Sequence, residues 1–220
     1  GQARELAAEP KELVSEVTRT EPRYIEGTGP HVAVLDFGVK ENILRNLKGL
    51  GARITILPAD TKADQVKALS PDGILLSNGP GDPRDIPYAI DTIKDLLGYK
   101  PTLGICLGHQ LLGLSLGGTI YKLKFGHHGG NHPVKDLTTG RVYITSLNHN
   151  YALTEDFSPD INITHMNLND NTVEGFLHKQ YPILSVQYHP EAAPGPLDSD
   201  YIFHQFFELI KAGEYHALTH

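Results

Sequence analysis

The sequence predicts an α/β protein with a mostly parallel central sheet, helices on both faces of that sheet and a smaller antiparallel sheet. Three observations lead to this prediction. In the first half of the chain, short apolar runs alternate with segments of helical periodicity, which is typical of parallel βαβ units. The first of these runs is apolar without alternation, as expected of a strand covered on both faces. Beyond Gly117 the segments become strand-like and are joined by turns, which indicates an antiparallel part.

The elements of the parallel part follow one another closely. Residues 31–38 form a continuous apolar run, and residues 42–50 follow with apolar side chains at helical spacing, closed by Gly51. Further strands are predicted at 53–58, 73–77 and 102–105. Further helices are predicted at 63–69, 86–97 and 107–116, and a short one before the sheet at 11–17.

The second part of the chain is predicted to be richer in strands. Strand-like segments lie at 119–124, 141–146, 161–167, 173–178 and 183–188. Residues 200–212 have the apolar spacing of an amphipathic helix. We expect one domain over residues 31–212, a linker with the remnant of a further N-terminal region at 1–30, and a frayed tail at 213–220.

Composition excludes several classes of protein. The net charge is −7 and no basic stripe is present, so nucleic acid is not an expected partner. No apolar run approaches the ~20 residues of a membrane span, so no membrane association is expected. Cys106 is the only cysteine, which excludes an internal disulfide. Because no secretory signal is visible either, we expect a cytoplasmic protein.

Cys106 stands at the predicted junction of a strand and a helix. Gly104 and Gly108 flank it at two residues on either side, which is the thiol version of the G-x-S-x-G nucleophile elbow. A helix that begins just after Cys106 would direct its N-terminal N–H groups at the sulfur and favour the thiolate. A lone cysteine is more often a small buried hydrophobe. The flanking glycines at this junction favour a nucleophile instead.

A thiol nucleophile needs a base and a group that orients the base. His189 and Glu191 follow the last predicted strand and are two residues apart, so an extended backbone would place both side chains on one face. Taken alone, the pair fits a solvated strand end equally well. With Cys106, it predicts a Cys–His–Glu triad brought together by the fold.

The loop of residues 77–83 follows the end of a predicted parallel strand, where ligands of open α/β sheets bind. Its glycines allow close backbone approach, so the loop is expected to supply one oxyanion N–H, and Leu107 the other. A tight turn without a ligand is the commoner use of such a loop. No G-K-[ST] follows it and no G-x-G-x-x-G follows a strand, so neither a phosphate loop nor a dinucleotide site is supported.

Two polar stretches remain. Residues 126–132 are rich in histidine and glycine but lack the spacing of a zinc motif, so we expect no metal and a glycine-supported loop beside the active site. Residues 148–151 fit either polar contacts to a small ligand or a turn between strands.

Together these motifs resemble the class I, or triad, glutamine amidotransferases. Residues 104–110 resemble that family's nucleophile segment, and residues 189–191 its His/Glu pair. Residues 77–83, 124–134 and 191–196 further resemble the small subunits of carbamoyl-phosphate synthases. The resemblance extends from about residue 31 to Lys211, so residues 31–212 would be a glutamine amidotransferase domain.

The resemblance implies a role for each residue of the site. Cys106 would attack the side-chain amide of L-glutamine and form a thioester, with His189 as the base and Glu191 orienting it. The N–H groups of Gly79 and Leu107 would form the oxyanion hole. The residues implied in holding glutamine are Gly81, Gln110, Asn148, Asn150 and Tyr151. The family commonly has glycine where Asn150 stands; because Asn tolerates left-handed geometry, a positive-φ turn is expected to be retained there.

The resemblance also implies a partner. Ammonia would pass to a carbamoyl-phosphate synthase large subunit, which would use it in a ligase reaction for arginine and pyrimidine biosynthesis. ATP and magnesium are expected only on that large subunit, and no cofactor on this chain. The family's small subunits carry an additional N-terminal domain, which contributes to the glutamine pocket and to the contact with the large subunit.

Two alternatives stay open at this point. One is the glutaminase of another triad amidotransferase, or a γ-glutamyl hydrolase. The other is a non-catalytic scaffold subunit. The residues alone indicate a cysteine hydrolase or acyl-transfer enzyme on an α/β sheet, and the choice of glutamine comes from the resemblance.

Overall fold

The computed structural model describes residues 12–192 and 201–213. The predictions for residues 194–196 and for the tail after residue 213 lie outside these ranges. No helix within them is long and apolar enough to cross a membrane.

Five parallel strands form the centre of the sheet. They are β2 (His31–Asp36), β3 (Arg53–Pro58), β4 (Gly73–Leu76), β5 (Thr102–Ile105) and β10 (Ile183–Val186), in the spatial order β3-β2-β4-β5-β10. Every residue of β2, β4, β5 and β10 is buried. Because the five strands run parallel, their carboxyl ends meet at one edge of the sheet. Their last residues there are Asp36, Pro58, Leu76, Ile105 and Val186.

The antiparallel strands continue this sheet. They are β6 (Ile120–Asp136), β7 (Val142–Leu153), β8 (Ile161–Asn167) and β9 (Val173–His178), and β9 pairs with β10. The complete order is β1-β3-β2-β4-β5-β10-β9-β8-β6-β7, where β1 is Arg23–Ile25. The predicted antiparallel part is thus present as an extension of the parallel sheet.

Helices cover the two faces of the sheet. The helices are α1 (Val14–Val17), α2 (Glu41–Gly49), α3 (Ala63–Ala68), α4 (Pro87–Leu96), α5 (Leu107–Ser115) and α6 (Tyr201–Ala212), with a 3-10 turn at Pro83–Asp85. Val32 and Val34 of β2 pack in one apolar cluster with α2 and α6. Ala33 and Leu35 point the other way, into a second cluster with α3, α4 and α5. The alternation of side chains along β2 therefore produces a three-layer α/β fold.

Two segments differ from their prediction. Residues 23–25, predicted as linker, pair with β3 as a short antiparallel edge strand, with Arg23 opposite Ile56. The histidine-rich residues 126–132, predicted as a loop, belong to the 17-residue strand β6. Gly126 and Gly129 have φ of +67° and +114°, and β6 shifts register against β7 near both. Bulges at these glycines let the strand continue through a sequence that resembles a loop.

The core contains two histidines that bear on stability. His109 on α5 is fully buried, with Nδ1 2.8 Å from Ser185 Oγ, and burial lowers its pKa to about 3. His165 on β8 lies 2.6 Å from the hydroxyl of Tyr201, and burial lowers its pKa to about 4. Both residues are therefore neutral in the folded protein at pH 5 to 7.

We expect His109 and His165 to reduce the stability of the folded protein as the pH falls below 6.5. Unfolding allows His109 and His165 to take up protons at their ordinary pKa of about 6.5, so the unfolded state binds more protons and stability falls with pH. Each histidine should reduce the free energy of unfolding by about 2 kcal/mol at pH 5 relative to pH 8. Urea unfolding between pH 8 and 5 measures this, and His165→Asn should remove about half of the two-histidine contribution. An unchanged slope in that variant would contradict the assignment.

Candidate functional site

Cys106 occupies a strained turn between β5 and α5. Its φ is +53° and its ψ −104°, a backbone conformation that residues other than glycine rarely adopt. The backbone N–H of Cys106 donates to the carbonyl of Val186 on β10, which fixes the turn to the neighbouring strand. Cys106 is the N-cap of α5, so the positive end of that helix faces the sulfur. This is the geometry that the sequence predicts for a nucleophile elbow.

The two flanking glycines are required by close backbone contacts. A Cβ atom on Gly108 would lie 2.1 Å from the carbonyl oxygen of Leu76 on β4. One on Gly104 would lie 2.8 Å from the carbonyl oxygen of Gly108. The first carbonyl belongs to strand β4 and the second to helix α5, so neither can move without displacing an element of the fold. The glycines thus let α5 begin directly against β4, which holds Cys106 at the strand ends.

His189 and Glu191 follow β10 and form a buried pair. The Nδ1 atom of His189 is 2.8 Å from Oε1 of Glu191, and the two side chains are 3% and 1% exposed. The backbone there is a bend followed by a turn, so the predicted extended conformation is wrong, although the two side chains still meet. The backbone N–H of His189 donates to the carbonyl of Ser146 on β7. The other ring nitrogen, Nε2, has no hydrogen-bond partner among the described residues, so it is the nitrogen left to exchange a proton with a group in the pocket.

The pair is strongly polarised. Burial lowers the pKa of His189, but the nearby sulfur of Cys106 and the carboxylate of Glu191 outweigh it and raise the pKa to about 10. Burial raises the pKa of Glu191, but the hydrogen bond from His189 and the charge of Lys40 lower it overall. The pair therefore holds a proton on the imidazole and a negative charge on the carboxylate at neutral pH.

A pocket of about 490 Å³ opens beside these residues. The predicted site residues that line it are Gly79, Gly81, Cys106, Leu107, Gln110, Asn148, Asn150, Tyr151 and His189. Glu191 is not among the lining residues and lies behind His189. The side-chain amide nitrogen of Gln110 donates to the carbonyl of Tyr151 at 2.8 Å and to Gln187 Oε1 at 2.9 Å. Gln110 can therefore offer only its carbonyl oxygen to a ligand.

The predicted oxyanion donors lie on opposite sides of the elbow. Gly79 is in the loop after β4, and a Cβ atom there would lie 2.2 Å from the carbonyl oxygen of Phe37. Leu107 is the first residue of α5. Within residues 12–192 and 201–213, the backbone N–H of neither residue donates to another backbone group. Both groups are therefore available to a ligand in the pocket.

Sequence reasoning missed two polar groups of the site. Lys40, just after β2, places Nζ 3.5 Å from Glu191 Oε1 and 3.3 Å from His189 Nδ1. Gln187 donates to the Cys106 sulfur at 3.6 Å. Gln187 follows β10 by one residue and precedes His189 by two, which was a usable signal. Lys40 follows β2, whose carboxyl end lies at this edge, but its proximity to His189 depends on the order of strands in the sheet, which the sequence does not give.

Asn150 does not adopt the backbone conformation that we expected. It lies within β7, and the described non-glycine residues with positive φ are Ser70, Cys106 and Asn171. The predicted positive-φ turn at Asn150 is therefore wrong. An asparagine at this position costs no backbone strain, since β7 is extended here. Residues 148–151 form a strand wall of the pocket and not a turn.

The family model for class I glutamine amidotransferases matches residues 33–209. This match covers most of the chain and includes the elbow, the loop after β4 and the His/Glu pair. The chain belongs to the class I glutamine amidotransferases. The fold agrees, since a glutamine amidotransferase of Thermotoga maritima superposes with a TM-score of 0.60 over 84% of this chain and 86% of its own, at 16% identity. A Thermoplasma acidophilum protein described as part of a GMP synthase superposes with a TM-score of 0.73 at 24% identity, over 86% of this chain and 97% of its own.

The relatives found by sequence share more identity with this chain than the structural neighbours do. The carbamoyl phosphate synthase small chain of Staphylococcus epidermidis is 50% identical over 92% of this chain. That of Clostridium perfringens is 53% identical over 90% of this chain. In both cases the matched region is 56% of the relative. The chain thus spans about half the length of the curated relatives it matches.

We expect Glu191→Gln to lower the pKa of His189 in this amidotransferase. The glutamine keeps a hydrogen-bond acceptor but removes the negative charge that helps to hold the proton on the ring. Titration of the imidazole nitrogens by NMR, on protein labelled at histidine, measures the pKa directly. Glu208→Gln on the exposed face of α6 is the matched control and should leave it unchanged. An unchanged His189 titration in Glu191→Gln would contradict the assignment of the raised pKa to the Glu191 charge.

Proposed function

We propose that the chain hydrolyses the side-chain amide of L-glutamine to glutamate and ammonia, as the glutaminase part of a carbamoyl-phosphate synthase. One observation carries this proposal. Cys106 stands in a strained elbow at the N-terminus of α5, in one pocket with His189, whose Nδ1 is held by Glu191. The similarity to carbamoyl phosphate synthase small chains supports the choice of synthase.

The first half of the reaction forms a thioester. With its proton held on Nε2 of His189, the Cys106 sulfur attacks the amide carbon of the glutamine side chain. The carbonyl oxygen becomes an oxyanion, which accepts hydrogen bonds from the N–H groups of Gly79 and Leu107. Nε2 then gives its proton to the amide nitrogen, the C–N bond breaks, and ammonia leaves. A γ-glutamyl thioester remains on Cys106.

The second half reverses the roles of the same groups. His189 takes a proton from water as the water oxygen attacks the thioester carbon, again with the oxyanion held by Gly79 and Leu107. Collapse of this intermediate breaks the C–S bond, and the proton returns from His189 to the sulfur. Glutamate leaves, and Cys106 is restored. Through both halves Glu191 accepts from Nδ1, so that Nε2 faces the sulfur and the positive ring is stabilised.

Polar groups on two walls of the pocket fit the rest of the substrate. Gly81, with φ of +90°, brings its backbone close to the pocket from the loop after β4. Asn148, Asn150 and Tyr151 contribute polar atoms from β7, and Gln110 its carbonyl oxygen from α5. We propose that these groups bind the α-amino and α-carboxylate groups of glutamine.

We propose that the partner receiving the ammonia is the large subunit of a carbamoyl-phosphate synthase. ATP and magnesium would then bind on that subunit, which would use the ammonia for arginine and pyrimidine biosynthesis. Ammonia released before the two subunits bind each other is not available to the large subunit. We therefore expect glutamine hydrolysis to be slow in the free chain and faster once the large subunit is bound. A cytoplasmic location is proposed on the ground of the single unpaired cysteine.

Release of ammonia and glutamate from glutamine tests the proposal. The wild-type chain and Cys106→Ser are each measured alone and with a carbamoyl-phosphate synthase large subunit. We expect release that requires Cys106 and increases with the large subunit. Release that requires Cys106 but ignores the large subunit would favour another amidotransferase or a γ-glutamyl hydrolase, or a large-subunit contact made by the part of the relatives that this chain does not span. The absence of release in both conditions would reject the glutaminase and leave a non-catalytic scaffold.

A further inference from the structure

A second cluster of side chains that can bind a ligand lies next to the pocket, and one of its members, His149, also lines the pocket. His127 on β6, His149 on β7 and Glu174 on β9 place one ligand atom each within 4.8 Å of one another. The exposed fractions of their side chains are 11%, 3% and 0%. Three strands of the sheet thus converge on one small buried volume.

The hydrogen bonds around the cluster determine which atoms face that volume. His127 directs Nε2 at the Asp170 carboxylate, 2.7 Å away, and His149 directs Nδ1 at the carbonyl of Tyr151, also 2.7 Å away. Each ring donates its N–H outwards in these contacts. The nitrogens that remain, Nδ1 of His127 and Nε2 of His149, point inwards with lone pairs. They lie 3.6 Å and 4.0 Å from Oε1 of Glu174.

Most of the polar atoms around this volume lack partners. Within the described part of the chain, His127 Nδ1, His149 Nε2 and the second carboxylate oxygen of Glu174, Oε2, are buried and form no hydrogen bond. Oε1, the oxygen near the two imidazole nitrogens, accepts from Asn167 and Thr172. Acceptors gathered in a buried site repel one another, and each unsatisfied group is costly. A proton on His127 Nδ1 could be donated only to Glu174 Oε1, and the distance of 3.6 Å between these two atoms is too long for a good hydrogen bond. It would leave His149 Nε2 without a partner.

We propose that His127, His149 and Glu174 bind one divalent transition-metal cation of the zinc type. Two imidazoles and one carboxylate are a ligand set that zinc uses, with a water molecule in the fourth position. Imidazole nitrogens favour zinc over calcium or magnesium. Zinc bonds of about 2.0–2.1 Å place tetrahedral ligand atoms roughly 3.3 Å apart, so the distances of 3.6 Å and 4.0 Å to Glu174 need to close by about 0.3 and 0.7 Å. The two imidazole nitrogens, which lie within 4.8 Å of each other, need to approach by at most about 1.5 Å.

The surroundings also match a metal site. Histidine ligands of metals usually donate their second N–H to a carboxylate or a backbone carbonyl, and Asp170 and the Tyr151 carbonyl are such acceptors. Glu174 is held by Asn167 and Thr172, which both donate to Oε1 at 3.3 Å. Two carboxylates, Asp170 and Glu174, balance the charge of a divalent cation. The cation would join β6, β7 and β9 and so stabilise the strand that carries Asn148, Asn150 and Tyr151.

This proposal replaces the sequence-based expectation that the chain binds no metal. His127 lies in the histidine-rich stretch, but its co-ligands come from two other strands. Sequence spacing therefore carried no signal. The inference does not depend on the proposed glutaminase reaction, because metal binding is measured without glutamine.

Zinc content and zinc-induced stabilisation test the inference. The chain is expressed as Cys106→Ser, because a thiolate beside His189 is itself a zinc site, then treated with a chelator and dialysed against Zn²⁺. We expect one equivalent of zinc by elemental analysis. We also expect a rise of about 5 °C in Tm when zinc exceeds its Kd about 100-fold. With Co²⁺ in place of Zn²⁺, the visible absorption should be that of a nitrogen- and oxygen-coordinated tetrahedral ion.

Matched variants in the same Cys106→Ser chain locate the site. Glu174→Gln preserves shape but removes the anionic ligand, and should weaken zinc binding by about 100-fold or more; Asp170→Asn should weaken it about 10- to 100-fold. His204→Asn and Glu208→Gln on the exposed face of α6 are the controls and should retain the full equivalent. No bound zinc in the parent chain would overturn the inference. Equal zinc binding and equal rise in Tm in folded Glu174→Gln would overturn it as well.

Discussion

Cys106→Ser is expected to reduce kcat for glutamine hydrolysis by about 10⁴-fold or more. The serine keeps the elbow and the volume of the site, but its hydroxyl is a much weaker nucleophile at neutral pH than a cysteine beside a positively charged imidazole. His189→Asn should cause a loss of similar size. Without the imidazole, no group accepts the thiol proton and none donates a proton to the leaving ammonia. The double variant should be no worse than either single variant, since residues that act as one unit lose their effects together.

Coupled measurement of glutamate by glutamate dehydrogenase gives kcat and KM for each variant. Thermal unfolding and far-UV circular dichroism establish that each variant is folded. His204→Asn, on the exposed face of α6, is the matched control for the loss of a histidine. A folded Cys106→Ser with the wild-type kcat would contradict the thioester mechanism. Additive losses in the double variant would show that Cys106 and His189 do not act together.

Much of the fold could be predicted because the strands carry a local signal. β3, β5, β8 and β9 begin and end where the sequence predicts, since each is a short apolar or β-branched segment between turns. β1 had no such signal. It has three residues, Tyr24 is 67% exposed, and only the pairing with β3 makes it a strand. The order of strands in the sheet is likewise set by tertiary pairing and not by any local pattern.

β6 shows where local preference and final structure disagree. Its glycines and histidines favour a loop, yet seventeen residues are extended because β7 and β8 supply backbone partners along much of its length. Gly126 and Gly129 permit the bulges at which β6 shifts register against β7 and then resumes pairing. The result leaves His128 exposed, while His127 turns inward against Glu174 with the half-buried His132 ring beside it.

The candidate site was predictable to the extent that its residues sit at strand ends. Cys106, His189 and the loop with Gly79 each follow a parallel strand, so their convergence follows from the α/β fold. The contact of Lys40 with Glu191 and the convergence of His127, His149 and Glu174 depend on which strands are neighbours. Which strands are neighbours is set by the pairing of segments far apart in the sequence, and the chemical type of a single residue does not indicate it.

Gly79→Ala is expected to lower kcat for glutamine hydrolysis by about 10²- to 10³-fold, the effect of losing one oxyanion donor. The added Cβ atom would lie 2.2 Å from the Phe37 carbonyl oxygen and 2.8 Å from the Leu107 side chain. The Phe37 carbonyl belongs to the backbone at the end of β2 and cannot yield cheaply. The loop must therefore move away from the pocket, and the N–H of Gly79 moves with it.

The ratio of effects on kcat and KM separates this cause from a general disruption of the pocket. An oxyanion donor contacts the transition state more strongly than the substrate, so kcat should fall much more than KM rises. Gly49→Ala is the matched control: it lies on the exposed side of α2, no atom is within 4 Å of the added methyl, and alanine is the better helix former. Its kcat and KM should equal those of the wild type. A Gly79→Ala enzyme with raised KM and unchanged kcat would mean that this loop binds the ground state of glutamine, and the oxyanion would then have to be stabilised by Leu107 without Gly79.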